Sequence, residues 1–161
     1  KTYYKTLMQM PAVDLIAIAG RPHQLGDVDP HSRVTVREDW RAVCEDPSID
    51  GIIVATPPET HYEIVKFCLE RNLPALVEKP FTLCSALTEE LRKLSRHRKV
   101  LCMVNYIHLY SAGYKDLKEH VAAAGKVNEI YSEAFAYGPF RPNVPVLWVY
   151  LVHSPYMAPK Q

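Results

Sequence analysis

Long hydrophobic runs are missing from this chain. No apolar stretch approaches the roughly 20 residues a membrane helix needs, and no leader pattern of basic and then apolar residues opens it, so no membrane association is expected. Charge of one sign is missing too: 19 Lys and Arg against 18 Asp and Glu leave a net +1, without a basic run. That removes the field that would steer the chain onto nucleic acid. Cysteine is sparse. Cys44, Cys68, Cys84 and Cys102 are widely spaced, lie in or beside apolar patterns and form no Cys-x-x-Cys pair. Free buried thiols in a reducing compartment fit this better than disulfides or zinc, and the expected location is the cytoplasm. The histidines form no metal-ligand cluster, so no metal is expected. Glycine is scarce as well, with six residues and no Gly-x-Gly-x-x-Gly run.

What is present reads as an ordinary globular protein, 48% hydrophobic and 23% charged. Apolar runs alternate with helical patterns. After a helical opening with Tyr3, Leu7 and Met10 on one stripe, Pro11 precedes the run Val13 to Ala19, the pattern of a strand buried on both faces. Val34 to Val36 is a short second strand, and Asp39 to Cys44 a short helix. Gly51 to Ala55 is a third strand, cut off by Thr56-Pro57-Pro58. Thr60 then caps a helix carrying Ile64, Val65, Cys68 and Leu69 on one face. Asn72 and Pro74 stop that helix, Ala75 to Val77 forms a strand, and Ser85 to His97 a helix with Leu87, Leu91 and Leu94 aligned. Val100 to Val104 is a further strand. Ala112 to Ala124 is a helix with Tyr114, Leu117 and Val121 inward, stopped at Gly125.

This alternation predicts an α/β fold, a Rossmann-like doubly wound parallel sheet with helices on both faces. The longer segment Val127 to Tyr137 has no helix directly after it and opens a second α/β domain. The expected division is 1–125 for the nucleotide-binding domain and 126–161 for the beginning of the second.

Open α/β sheets bind ligands at the carboxyl ends of their strands. Glu78-Lys79-Pro80-Phe81 stands at such an end, after the strand Ala75-Leu76-Val77, and Thr56, Pro57 and His61 stand at another. At the latter, backbone groups and a helix amino end would face a ribose and nicotinamide. The blander readings are a solvated Glu-Lys pair and a helix start shaped by two prolines; for His61 the two readings weigh equally.

Three stretches together resemble the Gfo/Idh/MocA family of nicotinamide-dependent oxidoreductases: Val54-Ala55-Thr56-Pro57-Pro58-Glu59-Thr60-His61, Val77-Glu78-Lys79-Pro80-Phe81, and the step from Gly125 into Val127-Asn128-Glu129-Ile130. The resemblance implies NAD or NADP as cofactor, a small sugar-like substrate, and a homo-oligomer built through the second domain. It implies that Lys79 transfers the substrate's hydroxyl proton, with Glu78 orienting the cofactor or the lysine and Pro80 shaping the turn, a cis bond being one way to do so. It also implies a late Asp-x-x-x-His motif. His153 stands at the histidine place, but Val149 occupies the aspartate place, so an unpaired terminal histidine is an equal alternative. Tyr106 and His108 are candidates to line a sugar pocket or to pack at the domain junction.

An acid at the end of the second Rossmann strand favours NAD, whereas an arginine nearby accommodates the 2′-phosphate of NADP. Here the residues are Gly20 and Arg21, which predicts NADP in preference to NAD, against a plain turn. The chain starts at Lys1 rather than Met, and the family's first strand and glycine loop are expected upstream. Without them the strands at Val13 to Ala19 and Gly51 to Ala55 would each present an open edge, and the chain alone should bind dinucleotide poorly. A non-catalytic scaffold that has lost dinucleotide binding is the alternative from another class, and a reductase of flat aromatic substrates shares fold and cofactor.

Overall fold

The strands are shorter than the apolar runs that form them. In the computed structural model, which describes residues 2–20, 28, 29, 31–126, 128, 129 and 131, the elements run α1 (Thr2–Leu7), β1 (Ala17–Ala19), β2 (Thr35–Arg37), α2 (Trp40–Cys44), β3 (Ile52–Val54), α3 (His61–Glu70), β4 (Ala75–Val77), α4 (Ser85–Arg98), β5 (Cys102–Val104) and α5 (Ala112–Ala124). The chain divides into two compact units, 1–52 and 53–161.

In the first unit β1 and β2 pair in parallel, Ala17 opposite Thr35 and Ala19 opposite Arg37. The Asp39 carboxylate accepts the Arg41 amide at 2.9 Å and starts α2, as an N-cap should. Arg37 donates to the Ala42 carbonyl and to Asp46, both at 2.8 Å, tying the end of β2 to α2 and the turn after it. The Ser48 hydroxyl and amide, and then Arg37, hold the Asp46 carboxyl below its usual range. The expected double burial of Val13 to Ala19 is not observed: the strand begins at Ala17, its residues are half-buried, and Val13 and Ile16 are exposed. Among the described residues β1 has a ladder on one side only, so nothing in its sheet covers its other edge.

The second unit holds the better core. Its sheet has the order β3-β4-β5, with β4 and β5 parallel. His61, Ile64, Val65, Cys68 and Leu69 form one buried stripe of α3 at three- and four-residue spacing, against α4 and β4. Val65, Cys68, Leu69, Val77 and Leu91 are fully buried; each such Val or Leu side chain contributes about 1.5–3 kcal/mol relative to exposure. Both helices end in the same way. Asn72 and Lys99 take left-handed backbone (φ 59° and 56°). The amides of Leu73 and Val100 then reach back to the Cys68 and Ser95 carbonyls at 2.9 and 3.1 Å, which satisfies carbonyls a helix end would leave open.

Two details differ from the sequence reading. Thr60 does not cap α3 with its side chain: it belongs to a 3₁₀ turn, Pro58–Thr60, and has helical backbone. The stripe expected to point inward on α5 is not buried, and Leu117 is exposed; the helix packs only against the 3₁₀ turn Ile107–Tyr110 among the substantial contacts of described elements. Parallel strand pairs with helices between them are the α/β class expected.

Candidate active site

The carboxyl ends of β3, β4 and β5 come together through hydrogen bonds that the spacing of the sequence does not reveal. Beyond β4, the Glu78 amide donates to the Val54 carbonyl of β3 at 2.9 Å, and the Val77 carbonyl accepts from Asn105 beyond β5 at 2.7 Å. The Glu78 carboxylate is then held twice. Its Oε1 accepts from Asn105 Nδ2 at 3.0 Å and its Oε2 from the Lys79 amide at 3.2 Å. Lys79 follows, half-buried, and the Lys79–Pro80 bond is cis.

His61, the first residue of α3, is fully buried. Its Nδ1 lies 2.9 Å from the Pro80 carbonyl and its Nε2 2.9 Å from the Thr56 carbonyl, so the ring spans the turns after β4 and β3. Thr56 and Pro57 themselves are exposed at the end of β3. The Thr60 hydroxyl stands 2.7 Å from both the Thr56 hydroxyl and the Pro57 carbonyl, which fixes the shape of that turn. The turn after Pro80 is anchored by buried Thr82, whose hydroxyl donates to the Cys84 carbonyl and meets Thr88 Oγ1, both at 2.7 Å.

A groove of about 520 Å³ runs from Pro80, Phe81 and Thr82 between α4 and β5, reaching Cys102, Val104 and Tyr106. Lys79 is not among its lining residues, so the groove lies beside the lysine turn rather than at it. Burial pushes the Cys102 thiol up to about 11, which makes it a packing group and not a nucleophile near neutral pH. Among the described residues no three His, Cys, Asp or Glu side chains gather as a metal site would require, and no helix is long and apolar enough to cross a membrane.

The structure thus brings Thr56, Pro57, His61, Glu78 and Lys79 into one region. Gly20 lies in the other unit, at the end of β1, where its amide donates to the Arg37 carbonyl at 2.9 Å. Arg21 and His153 lie outside the described residues, as does nearly all of 126–161. Asn105 was not a sequence candidate. Half-buried Tyr106 borders the groove and exposed His108 follows in a 3₁₀ turn.

A family profile described as an oxidoreductase family with an NAD-binding Rossmann fold, GFO_IDH_MocA, matches residues 6–106. The chain belongs to the Gfo/Idh/MocA oxidoreductase family. Among its relatives in this family, scyllo-inositol 2-dehydrogenase (NAD(+)) of Bacillus subtilis is 31% identical over 98 residues, covering 61% of this chain and 29% of that protein. Scyllo-inositol 2-dehydrogenase (NADP(+)) IolW of the same organism is 26% identical over 106 residues, covering 66% and 29%. A crystal structure from Magnetospirillum magnetotacticum MS-1, described as a candidate oxidoreductase, superimposes with a TM-score of 0.88 at 32% identity, covering 98% of this chain and 51% of that one. The chain therefore spans less than a third of the two curated dehydrogenases and about half of the solved structure.

The groups at the strand ends, an exposed hydroxyl at Thr56 and the amine of half-buried Lys79, are hydrogen-bonding groups of the kind a dinucleotide's hydroxyls can meet.

Proposed function

We propose that this chain is the cofactor-binding part of an NAD(P)-dependent oxidoreductase acting on a sugar, cyclitol or related carbinol or carbonyl. The observation that carries the proposal is the position of Lys79. It is half-buried at the carboxyl edge of the sheet, between a glutamate tied to Asn105 and a proline whose carbonyl meets His61. Such a group is held on its backbone side, and a positioned lysine is one of the side chains that take or give a proton in general acid-base catalysis.

The nicotinamide, when bound, accepts or supplies the hydride at the substrate carbon. Lys79 takes the hydroxyl proton on Nζ as the carbinol becomes a carbonyl and returns it in the reverse direction. Gly20, Arg21, Thr56, Pro57, Glu78 and Lys79 are the cofactor-facing residues in this reading; His61, the remaining candidate, is fully buried and would act from behind the turns. His153 is a second proton-transfer candidate. Arg21 after Gly20 supports NADP over NAD, since an arginine there can pair with a 2′-phosphate; the relatives named for their cofactor include both kinds. The remaining parts of the proposal are a nucleotide domain over 1–125, a substrate and oligomer domain beginning at 126, a homo-oligomer and a cytoplasmic location.

Fluorescence titration with NADPH and NADH tests the reading, on this chain and on a version preceded by the strand and glycine turn of its relatives. Binding by the extended version, tighter for NADPH, is expected. Binding by neither would favour a scaffold without turnover.

A further inference from the structure

Strand β5 is the least covered strand of the second unit. The Leu101 carbonyl accepts from the Ala75 amide at 3.1 Å and the Asn105 amide donates to the Val77 carbonyl at 2.7 Å, so Leu101 and Asn105 turn main-chain groups to β4. Main-chain groups of a strand alternate in direction, which leaves those of Cys102 and Val104 on the outer edge. No described strand pairs there. Neither face is fully covered. Cys102 and Val104 line the groove beside α4, and Leu101 and Met103 are 68% and 38% exposed. An open edge flanked by apolar side chains is a template for another strand.

Helix α4 runs back along the same strand. Ser95 is tied to Val100 twice, its hydroxyl donating to the Val100 carbonyl at 2.7 Å and its carbonyl accepting the Val100 amide at 3.1 Å, while Ser85 borders the groove together with Tyr106. Met103, the midpoint of β5, is therefore level with the middle of α4, where Glu89 and Arg92 line the groove. A two-fold axis through Met103, perpendicular to the sheet, serves both elements at once. It sets Cys102 opposite Val104 of the second copy as a hydrogen-bonded pair. It also reverses α4, so that Glu89 faces Arg92 of the second copy rather than a like charge.

We propose that β5 pairs edge to edge, antiparallel, with β5 of a second copy of this chain, joining the two grooves into one bridged by Glu89 and Arg92. The self-complementary order of acid and base along α4 selects a second copy over an unrelated strand. The contact uses α4 and β5 alone. It is separate from the second-domain contact and independent of Lys79 and of cofactor.

Cysteine cross-linking of the whole 161-residue chain tests the register. In a background of Cys84→Ser and Cys102→Ser, Met103→Cys meets its own counterpart across the axis as a non-hydrogen-bonded pair, with Cα atoms about 4.5 Å apart and within disulfide reach. Leu101→Cys, the more exposed position, faces Asn105 of the second copy instead. Mild oxidation should give Met103→Cys a band of twice the chain mass on a non-reducing gel and leave Leu101→Cys monomeric. Adding Val104→Pro, which removes an outward N–H and spares the bonds to β4, should abolish the band. Glu89→Arg sets arginine against arginine and should weaken the band, with Arg92→Glu in the same chain restoring it. Association through the open edges of β1 or β3 brings no two Met103 positions together, so it does not imitate the result. Leu101→Cys linking as readily as Met103→Cys would mean random collision. A Met103→Cys chain that keeps the circular dichroism of the unaltered protein yet stays monomeric would mean a free edge. Either result overturns the proposal.

Discussion

The side-chain amide of Asn105 holds the carboxylate of Glu78 at 3.0 Å, across the ends of two adjacent strands, while the Asn105 backbone amide continues the ladder onto Val77 at 2.7 Å. The bond leaves Glu78 Oε2 to the Lys79 amide and so fixes the carboxylate's orientation beside the lysine. Hydrogen bonds to charged groups are worth about 1.5–3 kcal/mol. Asn105→Leu is therefore expected to lower kcat/KM by about 10- to 100-fold, with Asn105→Gln retaining more activity. Steady-state rates of the two variants check this, and a wild-type rate for Asn105→Leu would remove the amide from the account.

Leu69→Ala should cost about 2–5 kcal/mol of unfolding free energy, since Leu69 is fully buried on the core-facing stripe of α3. Urea unfolding measures it. A loss under about 1 kcal/mol would mean that α3 is not the core helix described here.

The cysteines should separate by alkylation. Cys84 is exposed, Cys44 and Cys68 are buried, and burial raises the Cys102 thiol from 9.0 to about 11. Because the thiolate is the nucleophile, iodoacetamide at neutral pH should label Cys84 first, and Cys102 only as the pH climbs toward 11. The sign for stability follows from the same shift. Between about 9 and 11 the unfolded chain has lost a proton that the folded chain keeps, so the contribution present below 9 is lost as pH rises. Labelling of Cys102 alongside Cys84 at neutral pH, followed by mass spectrometry, would contradict its burial.

Much of the fold was legible in the residues because burial imposes a period. Ile64, Val65, Cys68 and Leu69 repeat at helical spacing, and α3 buries all four, with His61 besides. The strand runs were legible as runs but not in length: Val13 and Ile16 are as apolar as a core strand, yet exposure depends on what covers the strand, which its own letters do not contain. The same holds for α5, where Tyr114, Leu117 and Val121 form a stripe that none of the described elements buries. At the site, the Glu-Lys-Pro turn was legible because a charged pair ended an apolar run. Asn105 was not, since its partner lies 27 residues away and a lone asparagine after a strand carries no pattern. The setting of His61 was half legible: its place at the start of a helix was clear, but its two carbonyl neighbours follow only from the tertiary structure.

The central claim is that Lys79 transfers the proton. The most direct measurement is nicotinamide-dependent oxidation of a cyclitol, by the chain joined to the flanking segments its relatives carry, with Lys79→Met set against the unaltered protein and cofactor affinity measured alongside. General acid-base groups supply about 10²- to 10⁴-fold in rate. The account predicts a loss of kcat of that size with cofactor binding retained within a few-fold, whereas a variant that turns over at the unaltered rate would contradict it.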